Sequence, residues 1–287
     1  MTATSSESHG VLYLVATPIG NLGDLSTRAV EVLRHVDRIA CEDTRHSRPL
    51  LDRYGINRPL LSLHEHNEGQ ASQGILALLL QGERLALISD AGTPLINDPG
   101  YPLVRMAHQA GIKVTPIPGP CALIAALAAS GLPSNRFAFE GFPPRKSSQR
   151  QAFFRGLLNE KRTLIFYESS HRIAQTLEDI ASVFPVDRRL TVAKELTKQY
   201  ETFIYSTAGA ALEVFEQNEE LKLGEFVVLV EGSSESSSDE LDSKSIEVLT
   251  LLLEETSLKT AVSLAAKITQ TKKDLLYQEA LRLKGEA

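Results

Sequence analysis

The densest group of residues able to contact a ligand is Leu87-Ile88-Ser89-Asp90-Ala91-Gly92-Thr93-Pro94-Leu95-Ile96-Asn97-Asp98-Pro99-Gly100, where an apolar run breaks into hydroxyls, carboxylates, glycine and proline. Residues 85–88 read as a buried strand, and open α/β folds place their ligands at the carboxyl ends of such strands. Gly92 has no Cβ and lets backbone approach a ligand, while Pro94 and Pro99 fix φ and stiffen the loop. The competing reading is a tight turn with a helix cap at Asp98. A second loop shifts the balance toward ligand binding. Pro116-Ile117-Pro118-Gly119-Pro120-Cys121-Ala122 also follows a short apolar strand and precedes an apolar helix.

Other groups are less specific. Phe139-Glu140-Gly141-Phe142-Pro143-Pro144-Arg145-Lys146-Ser147-Ser148-Gln149-Arg150 puts Arg145, Lys146 and Arg150 beside aromatic rings on a proline-stiffened loop, a composition suited to phosphate contact and base stacking. Arg45, His46 and Arg48 could extend that surface or simply open a helix. His64 and His66 fall on one side of an extended segment with no third ligand in pattern, so polar loop residues are favoured over a metal site. Glu168 and His171 could cap a helix start.

The elements that must position these groups alternate. Strands are predicted at 11–16, 38–41, 60–63, 85–88 and 113–117, with helices after Ser26 or Thr27 and at 70–80, 101–110 and 122–130. Such alternation predicts an α/β sandwich. After a boundary near Leu132 the pattern resumes, with strands at 137–142, 163–167, 190–194, 201–205 and 225–230. The expected domains are a flexible amino terminus (1–10), an α/β lobe (11–131), a second α/β lobe (132–231), an acidic Ser-rich linker (232–242) and a helical module (243–287). In that module three helices at 246–255, 258–266 and 272–283 have the spacing of a helix-turn-helix. Ser257 and Thr269 are its candidate caps, and Lys259, Lys267, Lys272 and Lys273 are expected to be exposed. A plain helical cap with a solvated lysine face stands beside an RNA-binding arm as its reading.

Composition excludes several classes. A net charge of -6 over 287 residues argues against a chain that grips any nucleic acid through a general basic surface, so an RNA site must be local. Two cysteines, Cys41 and Cys121, give neither a disulfide framework nor a metal cluster, as expected in the cytoplasm. No secretory signal and no membrane span are expected. A dinucleotide fingerprint needs three spaced glycines, whereas Thr17-Pro18-Ile19-Gly20-Asn21 supplies one, so a nicotinamide dehydrogenase is disfavoured.

The loop at 89–100, together with Val15-Ala16-Thr17-Pro18-Ile19-Gly20-Asn21-Leu22-Gly23-Asp24, Cys41-Glu42-Asp43-Thr44-Arg45, Ile117-Pro118-Gly119-Pro120, Phe166-Tyr167-Glu168-Ser169-Ser170-His171-Arg172 and Lys194-Glu195-Leu196-Thr197-Lys198, resembles in order the small-subunit ribosomal RNA methyltransferase I family of the tetrapyrrole-methylase-like superfamily. The resemblance covers nearly the whole chain. It implies two α/β lobes of the tetrapyrrole methylase type, with S-adenosylmethionine in the cleft between them, and a small C-terminal helical module. It further implies 2′-O-methylation of a cytidine in 16S ribosomal RNA near the decoding centre, within the small ribosomal subunit, by a homodimer. Cofactor contacts carried over fall on Pro18, Asp90, Ala91, Gly92, Thr93, Leu95, Ile96, Gly119, Cys121, Ala122, Tyr167 and Glu225. RNA contacts fall on Arg45, Arg145, Lys146 and Arg150. Methyl transfer from a sulfonium needs a positioned donor, an exposed nucleophile and removal of its proton, and no metal. Candidates for that proton are Glu42, Asp43, Asp98, Glu168, Lys194 and Glu195, of which Asp43, Lys194 and Glu195 are the first to test. A tetrapyrrole methyltransferase and a non-catalytic RNA-binding assembly factor on the same fold are the alternatives.

Overall fold

Apolar runs of four or five residues separated by amphipathic stretches build the first sheet from β1 (Val11–Val15), β2 (Arg38–Cys41), β3 (Leu60–Ser62), β4 (Leu85–Ile88) and β5 (Lys113–Ile117), in the order β3-β2-β4-β1-β5. Every pairing in it is parallel. The computed structural model describes residues 10–233, 241, 243–269 and 271–283. Most of the expected flexible amino terminus and of the acidic linker lies outside the described residues.

Helices α1 (Thr27–His35), α2 (Thr44–Arg53), α3 (Glu68–Leu80) and α4 (Tyr101–Gln109) connect these strands, and α5 (Ala122–Ala129) follows the last one. Both faces of the sheet are therefore covered, which is why all four residues of β4 are buried and its sequence is apolar without alternation. Ser26 caps α1 by accepting from the Ala29 N–H. The charge cluster Arg45, His46, Arg48 opens α2, whose cap is Asp43. Pro49 lies inside that helix.

Register sets up the site. Val15 stands level with Ile88 on one side and Ile117 on the other, so the segments leaving β1, β4 and β5 emerge from one edge of the sheet. These are the segments in which the sequence concentrates glycine, proline and polar side chains.

The second sheet contains β6 (Phe137–Gly141), β7 (Thr163–Ser169), β8 (Arg189–Lys194), β9 (Thr202–Thr207) and β10 (Glu225–Val230), in the order β6-β7-β10-β8-β9. Only β6 and β7 run parallel. One face packs on α6 (Ser147–Gly156), α7 (Ile173–Val183) and α8 (Ala211–Glu216) through Phe154, Phe166, Leu177, Ile180 and Phe215. The other face meets α5, where Leu123, Ala126 and Leu127 pack against Ile165, Ala193, Val227 and Leu229. Helix α5 is apolar nearly all round: one face packs on the second sheet, while Ile124 stays exposed on another.

The chain divides into two compact units, residues 1–232 and 233–287. The second holds α9 (Ser243–Glu255), α10 (Leu258–Thr269) and α11 (Lys273–Leu283) around Leu249, Ala261, Val262, Ala265, Leu276 and Ala280. Ser257 accepts from the Thr260 N–H at the start of α10, as a cap does. Thr269 is no cap: it ends α10, and its hydroxyl donates back to the Ala265 carbonyl. Lys259, Lys267, Lys272 and Lys273 are exposed. Among the described residues no helix is long and apolar enough to cross a membrane.

Candidate active site

Three loop segments close over the carboxyl edge of the first sheet, and backbone pairing holds them together. The Thr17 N–H donates to the Gly92 carbonyl at 2.9 Å and the Gly92 N–H to the Thr17 carbonyl at 3.0 Å, a two-residue bridge between the loops after β1 and β4. The Thr17 hydroxyl, fully buried, donates to the Ser89 carbonyl at 3.0 Å. Thr93 ties the second loop to the third by donating to the Pro120 carbonyl at 2.9 Å. Gly92 is required by its backbone, with φ of +87°, and Gly119 by space, since a Cβ there would stand 2.9 Å from the Ala16 Cβ.

Opposite these loops stand the ends of β7 and β10 and the β8–β9 turn. Tyr167 packs edge-on against Phe139 and Phe142, with ring centroids 4.8 and 5.7 Å away, and its hydroxyl accepts from the Leu123 N–H at the start of α5. Burial pushes the Tyr167 phenol up to about 12, so it stays protonated. Glu195, with φ of +51°, accepts from Lys198 Nζ at 2.9 Å and from the Glu225 N–H at 2.9 Å, and Lys198 also pairs with Glu225.

Between the two sides lies a cleft of about 340 Å³ with mostly apolar walls, within the size range of small-molecule sites. Of the positions expected to contact the cofactor, Ala91, Gly92, Thr93, Ile96, Cys121, Ala122, Tyr167 and Glu225 line it. Pro18, Asp90, Leu95 and Gly119 are not on its wall. They act behind it: Asp90 accepts from the Asp43 N–H at 3.4 Å, and Leu95, with φ of +73°, shapes the loop. Sequence reading missed Ile19, Asn97, Phe142, Ser169, Leu196, Phe226 and Val227 on the wall. The positive φ of +67° at Asn97 is the kind of conformation an Asn in a Pro/Gly loop signals. Phe226 and Val227 carry no such signal, because an apolar strand residue reads as core.

The proton-transfer candidates separate clearly. Asp98 and Glu168 line the cleft, whereas Asp43, Lys194 and Glu195 do not. The Arg45 guanidinium and N–H hold the Asp43 carboxyl far below the usual carboxylate range, and Asp43 is committed to capping α2. Glu195 is opposed by burial but brought down overall by its Lys198 and Glu225 contacts. Glu168 is no helix cap: it is buried, paired with Arg172 at 3.1 Å and accepting from the Thr176 hydroxyl at 2.7 Å. Nor does Asp98 cap α4, whose first turn is preceded by Gly100. Burial pushes the Asp98 and Glu42 carboxyls up, and neighbouring acidic charges add to it.

Arg150 corrects the expected basic surface. It is fully buried, with Nε 2.6 Å from Asp179 Oδ2 and Nη1 donating to the Pro144 and Arg145 carbonyls, and is therefore withdrawn from solvent and from RNA. Arg145 and Lys146 are exposed, close in sequence to the cleft-lining Phe142, and the Arg45 side chain is 89% exposed. Among the described residues no group of three His, Cys, Asp or Glu is arranged to hold a metal ion.

The two-lobed fold with this cleft is that of the tetrapyrrole methylases. Residues 11–212 match the model of the Tetrapyrrole (Corrin/Porphyrin) Methylases, and the solved structures of the methyltransferase CobJ (TM-score 0.58, 18% identity, covering 78% of this chain and 95% of that one) and of diphthine synthase (TM-score 0.58, 14% identity, 77% and 90%) share the fold. Another neighbour is a uroporphyrin-III C-methyltransferase from Thermus thermophilus complexed with S-adenosylhomocysteine, at TM-score 0.52 and 16% identity, covering 77% of this chain and 97% of that one. Within that class the chain belongs to the ribosomal RNA small subunit methyltransferase I family. It is 49% identical to the Escherichia coli O157:H7 protein of that name over 98% of both chains, and 48% identical to the Pseudomonas aeruginosa one over 98% of this chain and 100% of that one. Residues 239–284 match the RsmI C-terminal HTH domain.

Proposed function

We propose that this protein is a cytoplasmic enzyme that transfers a methyl group from S-adenosylmethionine to the ribose 2′-hydroxyl of a cytidine in 16S ribosomal RNA near the decoding centre. The observation that carries this reading is near-full-length similarity to relatives named for small-subunit ribosomal RNA methylation, including the helical unit. The solved tetrapyrrole methyltransferases cover 77–80% of the chain and the tetrapyrrole methylase model ends at residue 212, so they give the 239–284 segment no role.

The cleft fits the cofactor on its own chemistry. Its mostly apolar wall suits an adenine, Gly92 brings backbone to that wall, and Asp98 presents a carboxylate without an ion-pair partner among the described residues. Bound there, the cofactor would supply an electrophilic methyl on a good leaving group. The chain's own part is to hold donor and ribose in line and to exclude water, the positioning that lowers the barrier of a bimolecular displacement. Asp43, Lys194 and Glu195 stay the first residues to test for removal of the hydroxyl proton.

Arg145, Lys146 and Arg45 supply the local positive charge that an acidic protein needs to contact RNA phosphates. An assembled small subunit is the expected substrate, since a restricted basic loop suits a shaped particle better than free RNA. A homodimer belongs to the same reading: Ile124 on α5, Tyr200 just before β9 and Tyr205 on β9 are exposed apolar side chains that a second copy would cover.

The test is transfer from radiolabelled S-adenosylmethionine to small subunits lacking the modification, beside naked RNA and a precorrin, followed by nucleoside mass spectrometry. A 2′-O-methylcytidine on subunits is expected. Label in the precorrin alone would move the assignment to the tetrapyrrole reading, and cofactor binding without labelled RNA to an assembly factor.

A further inference from the structure

We propose that Asp98 is the residue by which the cleft reads the positive charge of its ligand, so that it holds the cationic methyl donor in preference to the neutral thioether left after transfer. The proposal rests on the S-adenosylmethionine reading of the cleft and not on the identity of the methyl acceptor.

Three carboxylates line the cleft, and two of them have a cation of the protein beside them. Glu168 is paired with Arg172, and Glu225 with Lys198 at 2.9 Å, a lysine it shares with Glu195. Asp98 forms no ion pair with any described residue, and its Oδ2, turned away from solvent, has no hydrogen-bond partner among them. The Asp98 side chain is half-buried and the Ser89 hydroxyl acts on its carboxyl, but an oxygen shut off from solvent without a partner is costly, and such an exception calls for a ligand or a functional role. The loop that places it is itself strained: Leu95 and Asn97 hold φ of +73° and +67°, a left-handed conformation that persists only where surrounding packing enforces it.

Asp98 also lies at the edge of a wider acidic field. Besides the cleft it lines a small cavity of about 10 Å³ shared with Glu42 at the end of β2. Asp90, on its own loop, acts on both carboxyls, and Tyr167 on β7 is the neutral group that feels the Asp98 charge from across the cleft. His64 is the basic group acting on Glu42, and it forms no ion pair with Asp98. A cation entering the cleft therefore meets net negative potential that the protein has not cancelled. S-adenosylmethionine and S-adenosylhomocysteine differ by one methyl and one positive charge on sulfur, so this potential separates donor from product and favours product release.

The sign of the pH effect follows. Burial raises the Asp98 carboxyl above the ordinary aspartate value of 3.8, so its charge, and with it the preference for the cation, is present above that raised value and is lost as pH falls through it. Burial moves the Glu42 carboxyl in the same direction, so its titration adds to the slope.

The experiment is calorimetric titration of the full chain and of Asp98→Asn with S-adenosylmethionine and S-adenosylhomocysteine, at low salt and at several pH values. The isosteric change is expected to weaken S-adenosylmethionine binding by about tenfold, the effect of one partly screened charge pair, to leave S-adenosylhomocysteine within about twofold, and to flatten the pH dependence of the donor-to-product ratio. Retained product binding also shows that the variant is folded. Equal loss of both ligands, or loss of neither, overturns the proposal while leaving the cofactor reading in place. A wild-type chain that binds neither ligand removes the cofactor reading, and the proposal with it.

Discussion

Arg145 and Arg150 stand in one basic run, yet one is exposed and the other is the largest fully buried side chain of the molecule. Helix geometry explains the divergence: Arg145 precedes α6, while Arg150 sits on its inner face opposite Asp179 of α7. Breaking a buried pair by removing one partner strands a charge, so Arg150→Ala is expected to destabilise the protein by about 3–5 kcal/mol in urea unfolding. Arg145→Ala with Lys146→Ala should leave unfolding unchanged and weaken RNA binding, with a shallower salt dependence. Loss of RNA affinity from Arg150→Ala without loss of stability would refute this division of roles. Charge clustering in the sequence was legible; which cation the fold would bury was not, because that depended on a carboxylate 29 positions away.

At the scale of elements, the site depends on how the segments leaving β1, β4 and β5 meet. Strand positions could be read from short apolar runs, and the Gly/Pro loops from their composition. Their mutual contacts, Thr17 with Gly92 and Thr93 with Pro120, are long-range pairings that no local pattern carries. Gly119→Ala tests the fit: a Cβ placed 2.9 Å from the Ala16 Cβ must push the β5–α5 segment away from β1. Overpacking of this kind costs about 1–3 kcal/mol, and because Cys121 and Ala122 would move with it, cofactor affinity should fall more than Tm suggests. Unchanged calorimetric affinity in Gly119→Ala would show that this approach does not shape the cleft.

For the whole molecule, every residue lining the cleft lies in the 1–232 unit, and the 233–287 unit has its own core. A chain ending at Gly232 is expected to keep its cooperative melt and its cofactor affinity and to lose methylation of small subunits. Loss of cofactor binding on truncation would contradict an independent catalytic body. The sequence by itself determined the alternation of strands and helices, the loops that end β4 and β5, the acidic balance and the family, since periodicity, glycine and proline placement, charge count and contiguous motifs are local properties of a chain. Only the tertiary structure decided that Arg150 is internal, that Asp43 caps α2 while Asp98 faces the cleft, and that Phe226 and Val227 are cleft wall rather than core. Those outcomes depend on which distant segments share a surface, and burial, ion pairing and carboxyl titration follow from that juxtaposition rather than from the residue types.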